Sequence, residues 1–277
     1  MSQAQSRTIS ASPSFGLRVK VAVKDVFASF KHFEVAFALA LSNFNRAYRF
    51  LSLGRIWRSL NTLIFVLILG IFYSTILDRD LSYYLPYLAT GYVIWNFLSG
   101  FVMEGLNVFI KGSKIFSSYD TPLNTFVLSL SVKLLIQLCV DLIPVMLIYI
   151  AFGNMPSWTW LYFPLGLLII YVAGYGTAFI LGILNALVRD LSQMVPSILR
   201  VGFFVTPVIW SVEMAAKRAA LVTYNPLYYF IEIARTPLLG GVPDPIAYMV
   251  TIPIAFGLLI VGFGFFAYGR RSVYYVL

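Results

Sequence analysis

The sequence predicts an all-α integral membrane protein. It has six transmembrane helices, an N-terminal amphipathic interfacial helix, and short re-entrant helices in the outer loop between spans five and six. Three observations carry this. Of 277 residues only 11% are charged and 60% are hydrophobic, whereas a soluble domain carries about 25% charged residues, so the chain lacks the charge to cover a water-facing surface. The apolar residues form long unbroken runs rather than the alternation of a membrane barrel. Six runs approach the roughly 20 residues needed for a hydrocarbon core of about 30 Å: 57–77, 84–106, 123–152, 160–188, 194–210 and 246–268.

Residues 1–32 read as an N-terminal cytoplasmic segment. Its first 14 residues, rich in Ser and Gln, are expected to be disordered, and they lack the apolar core of a cleavable signal peptide. From 33 to 56 the pattern becomes helical. Phe33, Phe37, Leu41, Phe44, Tyr48 and Leu51 recur at three- and four-residue spacing, with Glu34, Asn45, Arg46 and Arg49 off that stripe. This describes either a basic amphipathic helix on the cytoplasmic membrane surface or a packed cytosolic helix, and the run into a span through Arg55 and Arg58 favours the first. The transmembrane domain then occupies 57–277.

Charge sets the orientation. Arg7, Arg18, Lys20, Lys24, Lys31, Arg46, Arg49, Arg55 and Arg58 precede or open span one. Lys111, Lys114, Arg189, Arg270 and Arg271 fall on the same side, against Arg79, Lys217, Arg218 and Arg235 opposite. The positive-inside rule places both termini in the cytoplasm. The net charge of +9 is then a membrane property rather than a sign of nucleic-acid binding.

The longest outer connection, 211–245, contains "YNPLYYFIEIARTPLLGG". Asn225 and Pro226 start a helix, and Pro237 with Gly240 and Gly241 ends it. Apolar backbone that does not cross the bilayer must be helical or buried. Residues 212–236 are therefore expected to form a re-entrant pair, with a helix lying flat in the outer interface as the alternative.

Catalytic chemistry is poorly provided for. His32 and Cys139 are the single histidine and cysteine, and G-x-x-x-x-G-K-[ST], H-E-x-x-H and G-x-S-x-G do not occur. The chain is expected to bind no cofactor or metal and to be no enzyme. Charges within the spans are Glu104, Lys133, Asp141 and Arg200, each needing a partner or a wet cavity. Lys133, Gln137 and Asp141 share one helix face, Glu104 is placed to pair with Lys133, and Asp141 lies nearer the middle of its span. A polar translocation face and interhelical pairing both remain open. Many tyrosines and tryptophans sit at span ends as interface anchors. Tyr73, Tyr87, Trp95, Tyr228 and Tyr229 are the candidates for stacking on a sugar chain in a passage.

The stretches "YRFLSLGRIWRSLN", "YLPYLATGYVIWNFLS", "NALVRDLSQMVPSILRVGFFVTPVIW", "YNPLYYFIEIARTPLLGG" and "YGRRSVYYVL" occur in that order from about Tyr48 to Leu277. Together they resemble the permease subunits of ATP-binding-cassette exporters for bacterial cell-surface polysaccharides of the O-antigen and capsule type. "WRSLNTL" lacks the proline many relatives carry there, and the first 30 residues match no pattern of the family. The resemblance implies a homodimer lining one channel in the bacterial inner membrane. It implies two separate ATPase chains that bind ATP and Mg, and a glycan on a polyprenyl-pyrophosphate lipid as cargo. It casts Arg189, Asp190, Lys111 and Lys114 as ATPase-coupling residues, and Arg46, Arg49, Arg55 and Arg58 as contacts to the lipid pyrophosphate or the interface. Tyr73, Tyr87, Trp95, Lys133, Asp141 and Arg200 become channel candidates, and Asn225, Pro226, Tyr228, Tyr229, Glu232 and Arg235 an outer gate. The rivals are an exporter for a smaller lipid or drug, an ion-coupled carrier using Asp141 or Glu104, and a membrane transferase using Asp78, Asp80, Glu213, Glu232 or Asp244.

Overall fold

Apolar segments with no water at hand must close their backbone hydrogen bonds internally. The computed structural model describes residues 15–116, 121–212 and 222–276, and these are helical with no strand among them. The elements are α1 (Phe15–Lys31), α2 (Phe33–Tyr48), α3 (Ile56–Ile76), α4 (Leu81–Gly105), α5 (Val108–Phe116) and α6 (Asn124–Ala151). A 3-10 turn (Trp158–Tyr162) leads into α7 (Phe163–Leu187), followed by α8 (Leu191–Val205), α9 (Pro226–Leu238) and α10 (Pro245–Val276).

Among the described residues, four helical stretches are long and apolar enough to cross a membrane: α3, α6, the 3-10 turn with α7, and α10 as far as Arg270. With 25 residues, α4 has the length, about 37 Å at 1.5 Å per residue, but its tyrosines, Trp95, Asn96 and Pro86 dilute its apolar character. The 15 residues of α8 reach only about 22 Å. The stretch expected to be helical to 210 leaves the helix at Thr206, before Pro207, and runs on as irregular chain through Trp210.

The bundle closes around α7. Its backbone meets α10 where Gly176 faces Gly262, and a Cβ on either would enter the other helix's main chain. A Cβ on Gly166 would stand 2.5 Å from the Ile233 carbonyl of α9. Small residues allow such approach where lipid supplies no hydrophobic drive between helices. One end of the bundle gathers α1, α2, α5 and the end of α10; the other gathers the α3–α4 turn, the 3-10 turn and α9.

The N-terminal part departs from the expected single helix over 33–56. Residues 15–31 form a helix of their own, α2 stops at Tyr48, and residues 49–55 turn the chain, with Gly54 at φ 53°. The buried stripe of α2 is Ala36, Ala40 and Phe44, while Phe33 and Phe37 are each 45% exposed. Alanines bring α2 close along the first half of α6, and Phe33 and Phe37 stand to the side. The disorder expected for residues 1–14 lies outside the described residues.

The inward face of α1 is small and polar: Ala22, Asp25 and Ser29. Asp25 caps a helix far away in sequence, accepting from Leu123 N–H at 3.2 Å and Asn124 N–H at 2.9 Å at the start of α6. Arg270 of α10 pairs with the same carboxylate at 2.6 Å and donates to the Val21 carbonyl at 3.1 Å. Burial pushes the Asp25 carboxyl up from its ordinary value, against the Asn124 N–H, Arg270 and the Leu123 N–H, which pull it down. Asp25→Ala removes the cap and leaves Arg270 unpaired, so thermal unfolding of the purified protein should show a loss of about 1–2 kcal/mol. Asp25→Asn, which still accepts, should lose less.

Candidate functional site

Two constellations stand out, one toward each end. At the basic end, Arg46 and Arg49 lie one turn apart at the end of α2, and the turn through Gly54 brings Arg55 back toward them. With Ser42, Asn45 and Tyr48 they line a polar cavity of about 520 Å³. The Asn45 Oδ1 is buried there without a hydrogen-bond partner. Arg58 points elsewhere: it pairs with Asp141 of α6, whose other oxygen accepts from Thr62 at 3.1 Å.

These contacts fix the level of α3. Ser59 donates to the Val140 carbonyl at 2.8 Å, so the first turns of α3 stand beside the middle of α6, and the first half of α6 is flanked by α2 instead. Asp141, expected nearer the middle of its span, is therefore level with the start of the first one. The 21 residues of α3 cover about 31 Å, the thickness of a hydrocarbon core. Measured against α3, Asp141 sits at the edge of that slab. Lys133, two turns closer to the basic end, pairs with Glu104 at 2.6 Å as its sequence position suggested. Arg200 is exposed on α8 and has no partner among the described residues.

At the other end, the irregular segment after α8 is held by side chains. The Pro207 carbonyl accepts from Arg235 Nη1 at 2.8 Å, that of Ile209 from Tyr84 at 2.5 Å, and that of Trp210 from Tyr87 at 3.1 Å. Arg235 is 3% exposed. Its guanidinium lies 4.1 Å over the Tyr87 ring and its second nitrogen donates to Glu232 at 2.9 Å. Glu232 also accepts from Thr236. Asn225 caps α9 by accepting from Leu227 N–H at 3.0 Å and donates to Thr206 Oγ1 at 3.0 Å; Pro226 fills the first helical position. Tyr228 and Tyr229 are half-buried neighbours, with Tyr229 bonded to the Thr223 carbonyl. Thus Asn225, Glu232 and Arg235 meet around one segment. Tyr84, one of the tyrosines at a span end, belongs with them, and its signal was its place two residues before Pro86, among tyrosines.

α9 is embedded among α4, α7 and α10, with Phe230, Ile231, Ile233 and Ala234 buried. The descending partner expected over 212–222 lies almost wholly outside the described residues, as do Lys217 and Arg218. Of the aromatic candidates, Tyr87 and Trp95 are 6% and 5% exposed, Trp95 packing on Phe203 at 5.6 Å, while Tyr73 is half-buried. Arg189 and Asp190 are exposed in the short turn between α7 and α8, and Lys111 is exposed on α5. Asn185 donates to the Leu106 carbonyl at 2.9 Å, which holds the end of α7 beside the start of α5. Lys114 is within α5, and residues 117–120 lie outside the described residues.

Residues 34–239 match the family described as ABC-2 type transporter. The chain belongs to the ABC-2 type transporter family. Its relatives include two O-antigen export system permease proteins of Klebsiella pneumoniae. One is 26% identical over 70% of this chain and 76% of its own length, and the other 27% identical over 77% and 83%. A protein of the same description from Myxococcus xanthus is 23% identical over 65% of this chain and 70% of its own length. An ABC-2 type membrane protein is a transport component that works with an ATP-binding subunit. The family match runs from the second residue of α2 to just past α9 and contains both constellations; Asp25 and Arg270 fall outside it.

In this ABC-2 type chain the Arg58–Asp141 pair has a bracing role. Removing one partner strands the other, which costs about 3–5 kcal/mol for a buried pair, less here because Arg58 is partly exposed. Arg58→Met or Asp141→Leu alone should lower the thermal stability of the purified protein. The double variant should recover most of the loss. A double variant no better than the worse single one would remove the bracing role.

Proposed function

We propose that this chain is the channel-forming transmembrane subunit of an ATP-driven exporter. It moves a polyprenyl-pyrophosphate-linked, O-antigen-like polysaccharide from the cytoplasmic to the periplasmic side of a bacterial inner membrane. The family and the description of the relatives support export of this cargo class. The observation that carries the pyrophosphate is the arginine cavity. Arg46, Arg49 and Arg55 converge at the level where α3 begins, the headgroup level if α3 spans the bilayer. Guanidinium groups match phosphate oxygens in geometry and charge, and Arg58, held by Asp141, stays outside that cavity.

In this reading the six spans are α3, α4, α6, α7, α8 with its irregular continuation, and α10, with both termini in the cytoplasm. α9 and the segment before it form a re-entrant outer gate built on Asn225, Pro226, Tyr228, Tyr229, Glu232 and Arg235. Two copies enclose the channel. The apolar face of α8, with Ile198, Val201, Phe204 and Val205 exposed around Arg200, gives that assembly its contact and gives Arg200 an environment. Tyr73, Tyr87, Trp95, Lys133 and Asp141 stand along or behind the passage. Two ATPase subunits, carrying ATP and Mg, dock at Arg189, Asp190, Lys111 and Lys114. An ion-coupled carrier needs a carboxylate free to load and release its ion, and Asp141 and Glu104 are both held in ion pairs.

Deleting the gene should abolish surface glycan, and the purified chain should carry an ATPase subunit. Unchanged surface glycan, with altered sensitivity to drugs instead, would move the reading to a smaller cargo. Replacing Arg46, Arg49 and Arg55 by alanine should cut glycan export by at least about tenfold at normal protein level, each charge-assisted bond contributing about 1.5–3 kcal/mol. Arg189→Ala should leave insertion intact and uncouple ATP hydrolysis from export.

A further inference from the structure

We infer that the pocket between the start of α4 and α9 is a sugar-binding subsite that takes a neutral hexose unit of the passing polymer; this rests on the exporter reading above. The pocket has a volume of about 320 Å³ and is lined by Tyr83, Tyr87, Tyr228, Glu232, Arg235 and Thr236. That is the small end of the range for ligand pockets, about 300–1,000 Å³.

Its chemistry suits a polyol with one apolar face. Tyr83 and Tyr87, one turn apart on α4, present rings inclined by only 22° with centroids 6.4 Å apart, and Tyr228 comes from α9. An aromatic face accepts the C–H side of a sugar ring, and the phenolic rim stays polar. The Tyr87 hydroxyl is committed to the Trp210 carbonyl, whereas those of Tyr83 and Tyr228 make no hydrogen bond among the described residues. Glu232 accepts from Arg235 and Thr236, which leaves lone pairs on its oxygens for sugar hydroxyls.

Charge narrows the ligand class. Tyrosines around a lone carboxylate would attract an ammonium group. Here Arg235 lies against Glu232, and among the described residues no other ionic side chain lines the pocket, so this lining is close to neutral and favours an uncharged ring. The site is also preorganised. Arg235 is fixed by the Pro207 carbonyl, Glu232 and the Tyr87 ring, so little ordering accompanies binding. Ser211 and Val212 also line the pocket. They continue the irregular segment after α8.

The test uses the full exporter in cells that make glycan. A photoreactive benzophenone amino acid is placed at Tyr228 and, in a separate strain, at Tyr224, which is 85% exposed. Illumination should give a glycan-bearing adduct at 228 and none at 224. Equal adducts at both positions, or none at 228 while export continues, would overturn the subsite. Surface glycan unaffected by deleting the gene would overturn the exporter reading with it. Export should also fall several-fold in Tyr228→Leu and be restored in Tyr228→Trp, both at normal protein level. A packing role would be served by leucine, so equal export by the two variants would count against stacking.

Discussion

A carbonyl without a donor is costly where water is excluded, and the chain from Thr206 to Trp210 exposes several in succession. The fold is arranged around this. Arg235 reaches back from α9 to the Pro207 carbonyl, and Tyr84 and Tyr87 on α4 close those of Ile209 and Trp210. A lysine would not do the same, because the guanidinium donates in two directions while its face lies over the Tyr87 ring. Once these groups are satisfied, α8 is free to stop short, α9 is free to turn inward, and a pocket opens between α9 and the start of α4. The features that make this end suitable for a gate follow from one broken helix and the donors that meet it.

The opposite end is governed by charge. Apolar helices of unequal length cannot share both boundaries, and α3 starts level with the middle of α6. The acidic and basic residues that sequence position puts inside the third span thereby fall at or below the edge of the slab α3 defines, and they meet partners there: Asp141 with Arg58, Lys133 with Glu104. The Asp25–Arg270 pair joins α1 and α10 at the start of α6. Residues near both chain termini thus brace the helix that carries Lys133 and Asp141, beside the surface read as the ATPase dock.

Much of this was legible in the sequence, and the failures have physical causes. The long spans, the start of α9 at Asn225 and Pro226, and the Glu104–Lys133 pair follow from local rules of apolar length, capping and helical spacing. The helix α1 escaped because the residues it buries fully are Ala22, Asp25 and Ser29, while its large side chains Phe15, Phe27 and Phe30 stay exposed. The stripe of α2 was assigned to Phe33, Phe37, Leu41, Phe44, Tyr48 and Leu51; of these Phe44 is buried, whereas close packing against α6 selects Ala36 and Ala40 in place of Phe33 and Phe37. Asp25 capping Asn124 joins residues nearly a hundred positions apart, which no local pattern encodes. The early end of α8 was masked because the sequence stays apolar to Trp210, and only the tertiary donors Tyr84, Tyr87 and Arg235 make the break tolerable.

The central claim is that this broken segment is locked by side chains rather than loosely placed. Hydrogen–deuterium exchange of the protein in lipid nanodiscs addresses it directly, with the native chain compared with an Arg235→Met, Glu232→Gln double variant. The account predicts that peptides covering 206–212 are protected in the native chain and exchange many times faster in the variant, while α6 is unchanged. Fast exchange of 206–212 in the native chain, or protection unaffected by the double substitution, would contradict it.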